Sequence, residues 1–375
     1  MPAVAIPRPR QVLRVLVVDD SASIRAAFSS IIAADPGLSL MATAADPYVA
    51  VEKMRDEIPD VMLLDLELPR MDGLTFLRKI MSQRPIPVVV CSSHTGAGSE
   101  AMMKALDLGA AEVLAKPRLD TPANRQEAAI RIGDALRAAA QTGRKGAGAR
   151  APAALAPGEK LSADVILPPM PPRAVPRTGP VIAIGASTGG TEALLQVLRA
   201  LPANAPPVAI VQHMPEHFTL AFARRLDAQC AMTVREAADG DLLEPGTALI
   251  APGNHHMVMR RHGSEYRVNI LEGPCVSRHR PSVDVLFRST AQAAGANALG
   301  VIMTGMGDDG ARCLLEMRNA GARTLAQDEA SCIVFGMPGE AISRGSAERS
   351  VQLSRIAAEI MAFAEGNPAP GARRR

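Results

Sequence analysis

The chain has 375 residues, more than one ordinary core carries, so two domains joined by a linker are expected. Apolar residues at 47% and charged residues at 21% exclude a wholly disordered chain, and aromatics at 2% argue against a surface that stacks nucleic-acid bases. A formal charge of +3, from 41 basic and 38 acidic residues, is too small for a general polyanion binder, so no nucleic-acid partner is expected.

The first segment alternates apolar β-rich runs with helical periods. Val12–Val18, Val61–Leu64 and Val88–Cys91 read as buried parallel strands. Ser21–Ala33, Ala45–Arg55, Gly73–Ser82 and Ser99–Leu108 read as helices, giving a doubly wound domain over residues 11–135. Ala, Pro, Gly and Lys/Arg then dominate, so 136–178 reads as a flexible linker whose only apolar island is Val165-Ile166-Leu167. Residues 179–365 repeat the α/β alternation. Strands are expected at Pro180–Gly185, Val208–Gln212, Thr247–Ala251 and Leu299–Thr304, and helices at Thr191–Ala200, Leu220–Ala228, Val283–Ala293 and Gly310–Asn319. Residues 366–375 read as a disordered tail. The five cysteines (Cys91, Cys230, Cys275, Cys313, Cys332) are odd in number and lack C-x-x-C spacing, which suits buried free thiols rather than disulfides or zinc ligands. No secretory signal or membrane-length apolar run is present, so a cytoplasmic protein without membrane insertion is expected.

In the first domain Asp19-Asp20, Asp65 and Lys116 all fall at strand ends, which converge at one edge of a parallel sheet. Carboxylates gathered there repel one another unless a hard cation lies among them, which suggests Mg²⁺. A carboxylate beside Mg²⁺ and a Lys ammonium can accept a phosphoryl group, because both cations neutralise the charge that develops in transfer. Ser92 or Ser93 supplies a hydroxyl for the new phosphate. The text VLVVDDS, LLDLELPRMDGL, CSS and AKP resembles a bacterial response-regulator receiver domain, of flavodoxin-like fold. That resemblance implies Asp65 as phosphoacceptor, Mg²⁺ held by Asp19, Asp20, Asp65 and the main chain of Glu67, and Ser92 and Lys116 as the phosphate-contacting pair. Val113 stands where many receivers carry a switch aromatic.

In the second domain VIAIGASTGGTEALLQVL is a strand, a tight turn and a helix. A dinucleotide site wants G-x-G-x-x-G and an acid closing the second strand, but Ser187 replaces the middle glycine and Gln212-His213-Met214 close that strand. The G-x-S-x-G pattern of Gly185–Gly189 instead presents Ser187 as a nucleophile at a helix N-terminus, whose free N–H groups suit an oxyanion. Of seven histidines, His213 ends the strand expected beside that of Ser187, so it is the preferred base. His256 and His279 are second choices. The carboxylate that fixes the imidazole is Asp308 or Asp309, in one glycine-rich turn, the other capping the next helix. A non-catalytic, partner-binding domain is the competing reading.

IGASTGG, VQHMP, IAPGNHHM, RHRPSVDVLF, MTGMGDDGA and QDEASCIVFGMP resemble the catalytic domain of the chemotaxis protein-glutamate methylesterase family, of Rossmann-like fold. The resemblance implies a Ser187–His213–Asp309 triad that hydrolyses glutamyl methyl esters of methyl-accepting chemotaxis receptors and deamidates receptor glutamines, with no cofactor for the esterase step. Met306 matches a position close to the triad, as an oxyanion donor or a core residue. Thr188 either orients His213 or caps the helix, and Arg278 and Arg280 guide acidic receptor helices or are solvated charges. A chemotaxis histidine kinase as phosphodonor, activation by phosphorylation of Asp65, and a monomeric state complete the expectation.

Overall fold

The computed structural model describes residues 12–92, 96–117, 119–142, 160–171, 174–216 and 218–366, and the chain divides into two compact units, of which the second carries the residues from Ala156 onward. The first unit is built on β1 (Leu13–Val18), β2 (Leu38–Ala44), β3 (Val61–Leu64), β4 (Val88–Ser92) and β5 (Glu112–Ala115). Between and after them come α1 (Ala22–Ala34), α2 (Pro47–Asp56), α3 (Gly73–Gln83), α4 (Gly96–Asp107) and α5 (Pro122–Thr142). All strands are parallel in the order β2-β1-β3-β4-β5, the flavodoxin-like arrangement. Phe28 and Ile32 of α1 and Ile132 and Leu136 of α5 pack on Val15, Val17, Leu63 and Val89, so the central strands are buried runs rather than alternating ones.

The second unit holds a seven-stranded parallel sheet of β6 (Val181–Ala186), β7 (Val208–Gln212), β8 (Thr233–Glu236), β9 (Thr247–Ile250), β12 (Ala298–Ile302), β13 (Arg323–Gln327) and β14 (Arg349–Val351), with β10 (His256–His262) and β11 (Glu265–Leu271) set apart as an antiparallel hairpin. Its helices are α6 (Gly190–Arg199), α7 (Phe218–Asp227), α8 (Val283–Ala294), α9 (Ala311–Asn319), α10 (Met337–Ser343) and α11 (Leu353–Gly366). The order β14-β13-β12-β6-β7-β9-β8 is the Rossmann order with one added edge strand. The chain leaves β6 toward β7 and later returns to β12 on its other side, so the topological switch point lies at the C-terminal ends of β6 and β12. Nearly every residue of α8 is buried, because Val285, Leu286 and Phe287 pack in one core with the sheet residues Val181 and Ala183 and the hairpin residues Met257 and Met259.

Two boundaries differ from the composition reading. Helix α5 runs to Thr142, with Ala138 and Ala139 fully buried, because alanine is a strong helix former that also packs closely. The linker reading therefore fails for 136–142. It also fails at the other end: Lys160–Leu167 belongs to the second unit, with a short helical turn at Ala163–Val165 and with Ala163 and Leu167 buried. The tail beyond Gly366 lies outside the described residues. All five cysteines are free, but only Cys91 and Cys313 are buried. No described helix is long and apolar enough to cross a membrane.

Candidate active site

The register of the sheet brings the nucleophile and base candidates together. Ala186 at the end of β6 pairs with Gln212 at the end of β7, so Ser187 and His213 open adjacent loops, and His213 N donates to Ala186 O at 3.1 Å. The buried Gln212 side chain ties the two loops, its Nε2 donating to Ser187 O at 3.0 Å and to His213 O at 3.2 Å. In the sequence Gln212 stands out only as a non-acid closing its strand; its place beside two loop starts is the signal of this role. Gly189 adopts φ 78°, the left-handed conformation the turn after Ser187 requires, and it is itself the N-cap of α6. That position belongs to Gly189, so Thr188 is not the cap. From the other side of β6, Ser187 N donates to Thr304 O at 3.0 Å, and Gly305 approaches so closely that a Cβ there would lie 2.6 Å from Ser187 Cβ. Met306, the next residue, is 8% exposed.

The two candidate aspartates part company. Asp309 is buried and accepts from His213 Nε2 at 2.8 Å. Its remaining capacity is filled by the start of α8: Ser282 Oγ at 2.8 Å, Val283 N at 2.8 Å and Asp284 N at 3.0 Å. Asp309 thus caps α8 from outside, where the helix dipole favours a negative charge. Burial alone would raise its carboxyl, but the hydrogen bond and charge of His213 outweigh that and hold it below the usual range. Asp308 faces elsewhere, paired with Lys160 and, at 3.6 Å, with Arg344. It does not cap α9 either, whose N-cap is Gly310. The nitrogen of His213 that Asp309 leaves free, Nδ1, is buried and has no hydrogen-bond partner among the described residues.

Of the second-choice histidines, His279 stacks on His213, with ring centroids 3.6 Å apart and planes 9° from parallel. It is presented by a tight turn in which Val276 and His279 exchange backbone hydrogen bonds while Ser277 and Arg278 take φ values of 50° and 72°. His256 is fully buried, with Nε2 2.9 Å from Pro274 O, and burial holds it below its usual pKa. Arg280 is a loop staple rather than a free guiding charge, donating to Gly273 O and, at 2.5 Å, to Asn254 Oδ1. Arg278 is half-buried.

The first unit gathers its own cluster. Carboxylate oxygens of Asp19, Asp20 and Asp65 lie within 4.8 Å of one another, and no comparable group of His, Cys, Asp or Glu occurs elsewhere among the described residues. Lys116 Nζ lies 2.7 Å from Asp65 and 2.9 Å from Asp19. Burial pushes the Asp65 carboxyl above its usual range, against the pull of Lys116. Burial likewise pulls the Lys116 ammonium down, but the two carboxylates outweigh it and hold it raised. Glu67 N donates to Asp65 Oδ1 at 3.2 Å. Ser92 is buried at the end of β4, and its carbonyl accepts from Lys116 N at 2.8 Å; Ser93 lies outside the described residues. An all-oxygen donor set of three acids with one balancing lysine suits a hard divalent cation.

Residues 182–360 match the CheB methylesterase family and residues 15–123 the response regulator receiver domain. A protein-glutamate methylesterase/protein-glutamine glutaminase of Cereibacter sphaeroides is 62% identical over 93% of this chain and 95% of its own. One from Geobacter metallireducens is 57% identical over 93% of this chain and 98% of its own. The solved methylesterase catalytic domain of Thermotoga maritima is 34% identical, covers 50% of this chain and 99% of its own, and has a TM-score of 0.49. By this identity along nearly its whole length, the chain belongs to the CheB methylesterase family, with a receiver domain ahead of the methylesterase domain.

Proposed function

We propose that the chain hydrolyses glutamyl methyl esters on chemoreceptors and deamidates receptor glutamines through Ser187, His213 and Asp309. The reading is supported by relatives named protein-glutamate methylesterase/protein-glutamine glutaminase. The observation that carries it is the pairing of His213 with a sequestered Asp309, on a loop that starts beside Ser187. Ser187 Oγ attacks the acyl carbon and gives its proton to His213 Nδ1. Asp309 steadies the imidazolium through Nε2. The proton then passes to the leaving methoxide or amide nitrogen, and methanol or ammonia departs. Water, deprotonated by the same imidazole, cleaves the glutamyl-serine ester and leaves a free carboxylate. Backbone N–H groups where α6 begins, and that of Met306, are the proposed oxyanion donors.

In the first unit Asp65 is the proposed phosphoacceptor, with a histidine kinase as donor and phosphorylation raising esterase activity. Asp19, Asp20, Asp65 and the main chain of Glu67 would hold Mg²⁺, which when bound offsets charge on the transferring phosphoryl oxygens. Lys116 and Ser92 contact the new phosphate. The direct test is release of labelled methanol from methylated receptor membranes: it should vanish in Ser187→Ala, and substantial release would exclude the covalent route.

A further inference from the structure

We propose that Lys160–Leu167, a segment whose composition reads as linker, is a positioning element of the ester-cleaving site. The inference rests on the triad assignment above. Every hydrogen bond described for Asp309 other than that of His213 comes from Ser282–Asp284, at the first turn of α8. Whatever fixes that turn therefore fixes the acid relative to the imidazole.

The segment is tied at three places, to the loop before α8, to α8 itself and to the aspartate turn. Leu161 O accepts from Ser277 N at 2.8 Å, and Ser277 Oγ donates to Asp284 Oδ2 at 2.9 Å. Asp284 N donates in turn to Asp309 Oδ1, so an unbroken relay of hydrogen bonds runs from Leu161 through Ser277, Asp284 and Asp309 to His213. Lower on the same helix, the fully buried Arg288 donates to Asp164 and, at 3.0 Å, to Leu167 O. Glu316 already neutralises Arg288 with bonds of 2.6 and 2.8 Å, so Asp164 is not needed to balance that charge; what it adds is attachment. Lys160, finally, pairs with Asp308, the residue before the triad acid. Each of these ties comes from chain that a fragment beginning at Thr178 would lack.

The test uses the full chain. Lys160→Ala/Asp164→Ala removes two partly exposed side chains, and Ser277→Ala cuts the relay at a buried one. Steady-state kinetics on methylated receptor membranes, with and without phosphodonor, should show kcat lowered about ten- to a hundredfold and KM within about twofold, as for a displaced catalytic group. The factor should be the same in both phosphorylation states. A wild-type kcat in the double variant, or a loss confined to KM, would overturn the proposal. Lys160→Ala alone, at a side chain 33% exposed, serves if the double variant melts early. Ser187→Ala measured alongside separates the two readings: an active Ser187→Ala rejects the triad itself, whereas an inactive one beside a fully active double variant rejects only the positioning role.

Discussion

The imidazole planes of His213 and His279 lie parallel, 3.6 Å apart, while the edge of His213 is held by Asp309. A single hydrogen bond leaves a ring free to turn about the bond axis; a flat plate against its face removes that freedom. His279→Ala should therefore lower kcat about three- to tenfold, and His279→Phe, which keeps the plate, should retain most activity. Turnover by both variants in parallel checks this, and an Ala variant as fast as the parent would show that Asp309 suffices.

Members of one catalytic unit fail together. Ser187→Ala and His213→Ala should each remove nearly all esterase activity, and the double variant should be scarcely worse than either. Asp309→Asn should leave a small residue, since its amide oxygen can still accept from Ser282 Oγ and Asp284 N, although the amide nitrogen cannot accept from Val283 N or His213. Full additivity in the double-variant cycle would count against a shared mechanism.

Asp284 gives the fold a pH signature. Burial, then the charge of Asp309, push its carboxyl from 3.8 up to about 6. A raised pKa means the folded state holds the proton more tightly, so the cost of the buried charge is absent below about pH 4 and grows until about pH 6. Relative to wild type, Asp284→Asn should gain stability across that window. Urea unfolding of both proteins at several pH values reads the difference directly; a difference that shrinks with rising pH contradicts the assignment.

Phosphoryl uptake should depend on the acidic cluster and the lysine beside it. Labelled acetyl phosphate with Mg²⁺ should mark the full chain, and Asp65→Asn or a chelator should abolish the label. Lys116→Ala should reduce it, having lost the ammonium 2.7 Å from Asp65. Label persisting in Asp65→Asn would place the acceptor elsewhere.

Strand ends were readable because parallel, doubly buried strands are short apolar runs that stop where polar residues begin. That placed Ser187, His213, Asp65 and Lys116 at the right edges from sequence alone. Strand ends and spacing alone do not separate Asp308 from Asp309, because the distinction depends on α8 and Lys160, which meet the turn only in three dimensions. The hairpin of β10 and β11 escaped notice since HMVMRRH and EYRVNIL pair antiparallel outside the βα rhythm. The segment at Lys160 was hidden by its Pro- and Ala-rich surroundings: its docking rests on main-chain groups and on Asp164 meeting Arg288, 124 positions away, and composition carries no trace of such a partner.

The return of the chain from β7 to β12 has a consequence for synthesis. His213 and Asp309 are 96 positions apart, and the strand that brings the acid home pairs directly with the one that carries the nucleophile. A growing polypeptide that has released β6 and β7 into solution owns a serine and a histidine but no acid, and its central strand still has an open edge. Ester-cleaving ability therefore arrives late and all at once, when β12 closes that edge, so prematurely terminated products should be inert toward receptors rather than unregulated hydrolases.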